Sequence, residues 1–488
     1  MATLSSGRRG SNLWRTKPIE LILRQSDESE RGLRRTLGPV SLTAMGIGAI
    51  VGTGIFVLTG VAAANYAGPA LILSFVLAGI VSGLAALCYA EFASTVPLSG
   101  SAYTYSYATL GELVAWIIGW DLILEYAVGA AAVSIGWSGY FTDLLQGAFG
   151  FTIPKAITAS PFAGGIINIP ACFIILLLTG LLMLGTRESS RFNNIVVAIK
   201  LAVVLFFIVV GSRHVNPANW TPFLPFGVGG IFNGASIIFF AYIGFDMVST
   251  SAEETRNPAR NLPLGIIFSL LICTLLYIAV TAVLTGVVPY TRLNVASPVS
   301  HAMILIGLNA AAVVISVGAI CGLTTVLLIL LFGQSRIFFA MSRDGLLPSF
   351  FSWIHPRFRT PYLSSLLVGV VVALVAGLTP IDVVAELTNI GTLAAFVLVA
   401  VGVLILRRTQ PNLRRAFRVP WVPWIPLLSI LGSLLLIARL PWITLVRFVV
   451  WLAIGLAIYF VYSRRKSHLE EERLAEEDYE RGERAVPT

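Results

Sequence analysis

Apolar residues along this chain neither alternate nor recur in narrow helical stripes. They run in unbroken tracts of about 20 residues, the length a helix needs to cross the hydrocarbon core of a bilayer. Such tracts fall near residues 40–65, 69–94, 112–145, 166–185, 192–212, 231–252, 263–288, 310–340, 362–379, 382–406, 421–440 and 443–463. The pattern predicts an all-α integral membrane protein with about 12 transmembrane helices. The connections between tracts are too short to hold a soluble domain.

Composition agrees. Of 488 residues, 57% are hydrophobic and 12% charged, with a mean hydropathy of +0.86, whereas soluble domains carry about 25% charged residues. The first 35 residues are polar and mixed in charge, so no signal peptide is expected there. Lys and Arg mark the cytoplasmic side of a membrane protein. With the N-terminus placed inside, 27 of the 33 basic residues fall on that side, which predicts that both termini are cytoplasmic. The net charge of +9 is then a topology signal and an expected contact with anionic lipid head groups at the cytoplasmic face, not a nucleic-acid footprint. Cys88, Cys172, Cys273 and Cys321 all sit in apolar tracts and read as small buried hydrophobes. The four histidines are scattered, so no His-built metal centre is expected.

Two tracts carry breaks. MGIGAIVGTGIF, Met45 to Phe56, places four glycines at positions 46, 48, 52 and 54. A dinucleotide-binding loop would need a preceding strand and a soluble βαβ unit. Close packing between helices accounts for small residues four apart, as at Gly48 and Gly52. Unwinding is the other use: glycine makes it cheap, and unwound backbone in a bilayer survives only where it is packed in protein or lines a cavity. In the sixth tract, FFAYIGFDMVST, Gly244 stands beside Asp246, the only acidic residue there. Interrupted helices five spans apart are the signature of transporters built from inverted repeats with a midplane binding site.

Several motifs, GIGAIVGTGIFVLTG (Gly46–Gly60), EETRNPARNLPLGI (Glu253–Ile266), RIFFAMSRDGLLP (Arg336–Pro348), NIGTLAAFVLVAVGVLILR (Asn389–Arg407) and FRVPWVPWIPLL (Phe417–Leu428), resemble the cationic amino acid transporter family of the amino acid, polyamine and organocation superfamily. The likeness runs from about Leu37 to Arg465 and is to the bacterial members. It implies a LeuT-type core of two inverted five-span repeats, residues 37–212 and 213–406, with two peripheral helices in 407–465. A cytoplasmic tail, 1–36, precedes them and an acidic one, 466–488, follows. It also implies a substrate site in which N–H groups around Ile50, Gly52, Thr53 and Gly54 hold a carboxylate, as helix N-termini do. Carbonyls at Phe240, Ala241 and Ile243 would hold the ammonium.

Ionisable residues deep in a span are functional candidates by default. Lys200 lies about 14 Å and Glu125 about 20 Å along their helices from the cytoplasmic edge, at a rise of about 1.5 Å per residue. Lys200 matches a lysine that, in proton-coupled relatives, puts its ammonium where sodium joins the first and fifth core helices of others. Glu125 matches an acidic position of the family and reads as a pocket wall or second proton-handling group. Asp246 pairs with it through water or a shared proton, or orients the broken part of its span. Asp121, one turn before Glu125, reads as structural or part of the inward path. Glu91 reads as a gate, held by Arg or a backbone N–H, or as a packing residue.

These readings predict a proton-coupled symporter of L-amino acids in the plasma (inner) membrane, working by alternating access and driven by the proton gradient, with no cofactor and no metal. The alternative is an uncoupled facilitator or exchanger of Arg, Lys and ornithine, whose cationic side chain would need an acid or a ring of carbonyls at the pocket end, near Cys321 to Thr325. No acid occurs in that span before Asp344, which favours small or medium neutral substrates. An enzyme is disfavoured because no nucleophile–base pair, metal set or cofactor motif is present, and a channel because the tract ends are apolar. The sequence carries no mark, either way, of a small accessory membrane subunit.

Overall fold

The computed structural model describes Thr16 and residues 37–95, 101–184, 190–250, 255–358, 360–412 and 415–469. Apart from Thr16, the predicted N-terminal tail lies outside them, as do Glu253, Glu254 and the acidic tail beyond residue 469. Among the described residues the secondary structure is helical, with one isolated bridge between Leu37 and Thr255.

The main helices are α1 (Pro39–Ile50), α2 (Leu71–Thr95), α3 (Ser101–Thr109), α4 (Glu112–Ile123), α5 (Gly129–Phe149), α6 (Ile169–Met183), α7 (Ser190–Ser212), α8 (Gly227–Ile238), α9 (Pro258–Val287), α10 (Pro298–Leu305), α11 (Asn309–Arg343), α12 (Tyr362–Leu378), α13 (Ile381–Thr409), α14 (Trp424–Ile437) and α15 (Trp442–Ile458). Eight continuous helical stretches among the described residues are long and apolar enough to cross a membrane. The apolar helices α1, α6, α12 and α14 are shorter, at 12, 15, 17 and 14 residues. At about 1.5 Å per residue even α12 spans only about 26 Å, short of the roughly 30 Å hydrocarbon core.

The bilayer-facing side is recognisable by large apolar side chains with nothing over them. Phe173 and Leu177 on α6, Leu431 on α14 and Val449 on α15 are each more than half exposed. In water such a surface would drive association; in lipid it is the solvated face. Inside, α9 packs along α1 and α2, α5 along α11, and α13 along α14. Gly46 serves the first of these contacts, because a Cβ there would sit 2.5 Å from Ser269 Oγ.

Glu91, at 1% exposure, ends α2 inside an ion cluster. Its carboxylate accepts from Arg407 Nε at 2.8 Å, Arg407 Nη2 at 2.7 Å and Val419 N at 2.8 Å, and pairs with Arg415 Nε at 3.2 Å. The Arg and backbone N–H partners foreseen for Glu91 are therefore both present. Removing one partner of such a buried pair costs about 3–5 kcal/mol, so this cluster fastens α2 to the end of α13 and the segment that follows it. Of the cysteines, Cys88 and Cys273 are buried as expected, but Cys172 is half-buried, its thiol directed at Ala373 O on α12 at 3.2 Å, and Cys321 is exposed.

Candidate functional site

The first break falls where the glycines stand. Helix α1 stops at Ile50, Val51 is extended (φ −74°, ψ 95°), and a helix resumes at Gly54 through a wide turn, Gly54–Leu58, with i→i+5 bonds. The second break follows α8. A tight 3-10 turn, Phe239–Tyr242, leads to an extended Ile243, and Gly244 takes φ +110° before a short helix, Met247–Thr250. Only glycine adopts that φ without strain.

The two breaks touch. A Cβ on Gly54 would lie 2.2 Å from Ala241 Cα and 2.4 Å from Ala241 Cβ. Glycine at 54 is what lets one opened helix seat on the other.

Carbonyls loosened by the breaks find partners. Tyr277 OH donates to Ile50 O at 2.9 Å, and Lys200 Nζ donates to Gly48 O at 2.7 Å. Asn389 Nδ2 donates to Ser236 O at 2.8 Å and to Ile237 O at 2.9 Å. Buried backbone acceptors in a bilayer interior need such donors. On the donor side, the resumed helix presents at Gly54 the first-turn N–H groups that helical geometry leaves without i−4 partners.

Between the breaks lies a cavity. Ala49, Ile50, Gly52, Thr53, Gly54, Phe240, Ile243, Gly244 and Met247 form its broken-helix walls. The rest is Glu125, Gly129 and Val133 from the α4–α5 stretch, Val326, Ile329 and Leu330 from α11, and Thr388 from α13. It holds about 20 Å³ of space for the centres of water-sized spheres, room for about one water. The walls are thus nearly closed on each other, and anything larger than water would enter only as they part. Two lining residues carry buried polar atoms with no hydrogen-bond partner: Thr53 Oγ1 and both oxygens of Glu125. Such orphans are rare in settled interiors and mark where a polar ligand or water belongs.

Glu125 sits in a second wide turn, Leu124–Val128, between α4 and α5. Turns of this kind insert one residue into a helix and recur at functional sites. Glu125 stands in the cavity wall while Asp121, one turn before it, stays outside, 1% exposed and with neither oxygen hydrogen-bonded. Glu125 lies beside Asp246 and Thr392. The Thr392 hydroxyl donates elsewhere, to Thr388 O at 3.0 Å. Asp246 stands behind the lining, accepting from Tyr126 OH at 2.8 Å. A proton between the two carboxyls would supply the donor that Glu125 lacks.

Of the residues singled out from sequence, Ile50, Gly52, Thr53, Gly54, Phe240, Ile243 and Glu125 share this cavity. Ala241 does not line it, being pressed against Gly54. Lys200, fully buried on α7, is also outside it and joins α7 to the last turn of α1. The pocket end foreseen at Cys321–Thr325 is displaced by one to two turns: α11 contributes Val326, Ile329 and Leu330 instead. Gly322 rests on the Lys200 stem, and Thr324 Oγ1 accepts from Trp137 Nε1 at 3.0 Å. Sequence reasoning missed Tyr126, Tyr277 and Asn389. Asn389 had a signal, as the one side-chain amide in its apolar tract. Among the described residues no group of His, Cys, Asp and Glu is arranged to hold a metal.

Comparison with known proteins gives a consistent picture. A family model described as amino acid permease matches residues 37–464. The chain is 51% identical over 461 residues to the methylthioribose transporter of Bacillus subtilis (strain 168), covering 94% of this chain and 99% of that protein. It is 53% identical over 463 residues to the branched-chain amino acid permease BcaP of the same organism, with the same coverage. Cationic amino acid transporter 4, vacuolar, of Arabidopsis thaliana is 40% identical over 408 residues, 82% of this chain and 68% of that protein. These relatives are named as transporters and permeases, not as enzymes.

Proposed function

The chain belongs to the amino acid permease family, and on that premise we propose that it is a proton-coupled symporter of L-amino acids with aliphatic side chains. The observation that carries this reading is the meeting of two helix breaks at a cavity with orphan polar atoms and an otherwise apolar wall. The first-turn N–H groups at Gly52–Gly54 suit a carboxylate. Released carbonyls at Phe240 and Ile243 suit an ammonium, and Val133, Val326, Ile329 and Leu330 suit a branched apolar side chain.

In this account the breaks occupy matching places in two inverted five-span repeats, residues 37–212 and 213–406, with 407–465 peripheral and about twelve crossings in all. Both termini face the cytoplasm of a cell whose plasma membrane holds the protein. Alternating access then moves one set of helices against the other around a fixed site. Lys200 couples the cycle to protons: charged, its ammonium holds α7 to Gly48 and hence to the break; neutral, it lets them part. Glu125 and Asp246 share a second proton beside the substrate.

The Glu125 carboxyl in the cavity wall leaves a second reading, uncoupled passage or exchange of Arg, Lys and ornithine. Thermal unfolding of the purified protein with each of the twenty amino acids, and with methylthioribose, separates the readings. Leu, Ile and Val are expected to raise the transition, since a ligand at about 100 times its Kd adds about 2.7 kcal/mol to stability. Stabilisation by Arg and Lys alone would favour the second reading. A response to methylthioribose and to no amino acid would overturn both.

A further inference from the structure

From Gly129 and Val133 at the cavity, α5 climbs past the resumed helix, where a Cβ on Gly136 would lie 2.9 Å from Val57 Cγ2 and 3.1 Å from Thr53 Cγ2. One turn on it meets the segment leading into the short helix α10, with a Cβ on Gly139 only 2.6 Å from Ala296 Cβ. Helix α10 also lies across the resumed helix, since a Cβ on Gly60 would fall 2.3 Å from Pro298 Cβ. On α11 it is held by Ser300 Oγ, 2.8 Å from Ser316 Oγ. It therefore bridges three elements that wall the cavity.

One side chain stands where they converge. Tyr140, fully buried, donates its OH to Phe56 O at 2.6 Å. The Tyr140 hydroxyl oxygen also faces the backbone N–H groups of Val299 and Ser300 in the first turn of α10. Its ring packs edge-on against Phe56, with centroids 6.0 Å apart. One turn further along α5, Asp143 accepts from Ser297 Oγ at the N-terminus of α10. Phe56 is two residues past Gly54, so any shift of the Gly52–Gly54 amides reaches the Tyr140 hydroxyl through a single turn of helix.

We propose that Tyr140 is a positioning residue that ties α10, as a lid, to the broken helix at the cavity, with Asp143 and Ser297 as the catch. The proposal rests on the transporter reading above. A carboxylate that draws in the amides at Gly54 carries Phe56 with it. The hydroxyl follows, and the first turn of α10 with it, so occupancy of the site and closure of the lid become one event.

Tyr140→Phe keeps the ring contact and removes the hydroxyl. Hydrogen exchange and uptake into proteoliposomes read the result, with leucine as the probe. In the wild type, leucine is expected to slow exchange in both residues 54–62 and 298–305; in Tyr140→Phe it slows the first segment alone. Maximal uptake is expected to fall about tenfold with KM changed by less than about threefold, the effect of losing one hydrogen bond on a buried carbonyl. Leucine protection of both segments in the variant, or unchanged uptake, overturns the relay. A disulfide formed in Asp143→Cys/Ser297→Cys is expected to stop uptake until it is reduced; a bonded pair that transports as fast as its reduced form overturns the lid. If the wild type responds to no amino acid, the transporter reading fails instead. The ligand-free comparison still judges the relay: faster exchange of both segments in Tyr140→Phe supports it, and no change in either refutes it.

Discussion

Replacing Lys200 by alanine is expected to abolish accumulation of leucine driven by a pH gradient while leaving a protein that inserts and folds. The reason is geometric. Lys200 has no exposure, lies outside the cavity lining, and makes its hydrogen bond to Gly48 O, two residues before the break. Its amine ties α7 to that turn. With one proton per substrate, a gradient of about one pH unit is worth about 1.4 kcal/mol and supports roughly tenfold accumulation. Lys200→Ala should lose that accumulation entirely. Lys200→Met, which keeps the volume against Gly322, should lose it equally, and leucine should still raise the unfolding transition of both variants. Driven accumulation at the wild-type level in Lys200→Met would remove the residue from the coupling step.

The second large effect is expected at Gly54. A methyl there meets the backbone of Ala241 at 2.2 Å, and backbone cannot swing aside as a side chain can. Gly54→Ala must push the two breaks apart, with an overpacking cost of about 1–3 kcal/mol or more. Displacing the amides by even about 1 Å can cost about 100-fold in a site that depends on their position. Gly52→Ala is the milder comparison, because its Cβ would meet the Val326 side chain, nearest at Cγ2 at 3.3 Å, which can yield while the amide is kept. Leucine binding, read by thermal shift, should vanish in Gly54→Ala and survive in Gly52→Ala. Equal losses in both would mean that the glycines serve helix flexibility in general and not the seating of one break on the other.

The breaks were legible in the sequence because their cause is local. Clustered glycines in one apolar tract, and in the other a glycine beside the tract's one acid, have few uses, and both places are opened helices. The ion cluster around Glu91 was half legible, for an acid at a span end calls for a cation, but the identity of Arg407 and Arg415 depends on how α13 and its following segment fold back. Three things could not be read. The wide turn at Leu124–Val128 has no compositional mark, since i→i+5 bonds are chosen by packing, and Glu125 stands in it. The lining face of α11 needed the rotation of that helix about its axis, which an evenly apolar tract does not encode; hence Val326–Leu330 in place of Cys321–Thr325. Tyr126, Tyr140 and Tyr277 look like ordinary aromatic content, and only their hydroxyl partners on other helices distinguish them.

Most of this rests on where the substrate's two charges lie, so the direct measurement is an experimental structure of the full chain with leucine bound. The expected density places the carboxylate on the amides of Gly52–Gly54, the ammonium at the carbonyls of Phe240 and Ile243, and the side chain against Val326 and Leu330. Leucine found elsewhere in the protein, with these two helix breaks still closed on each other, would contradict the account.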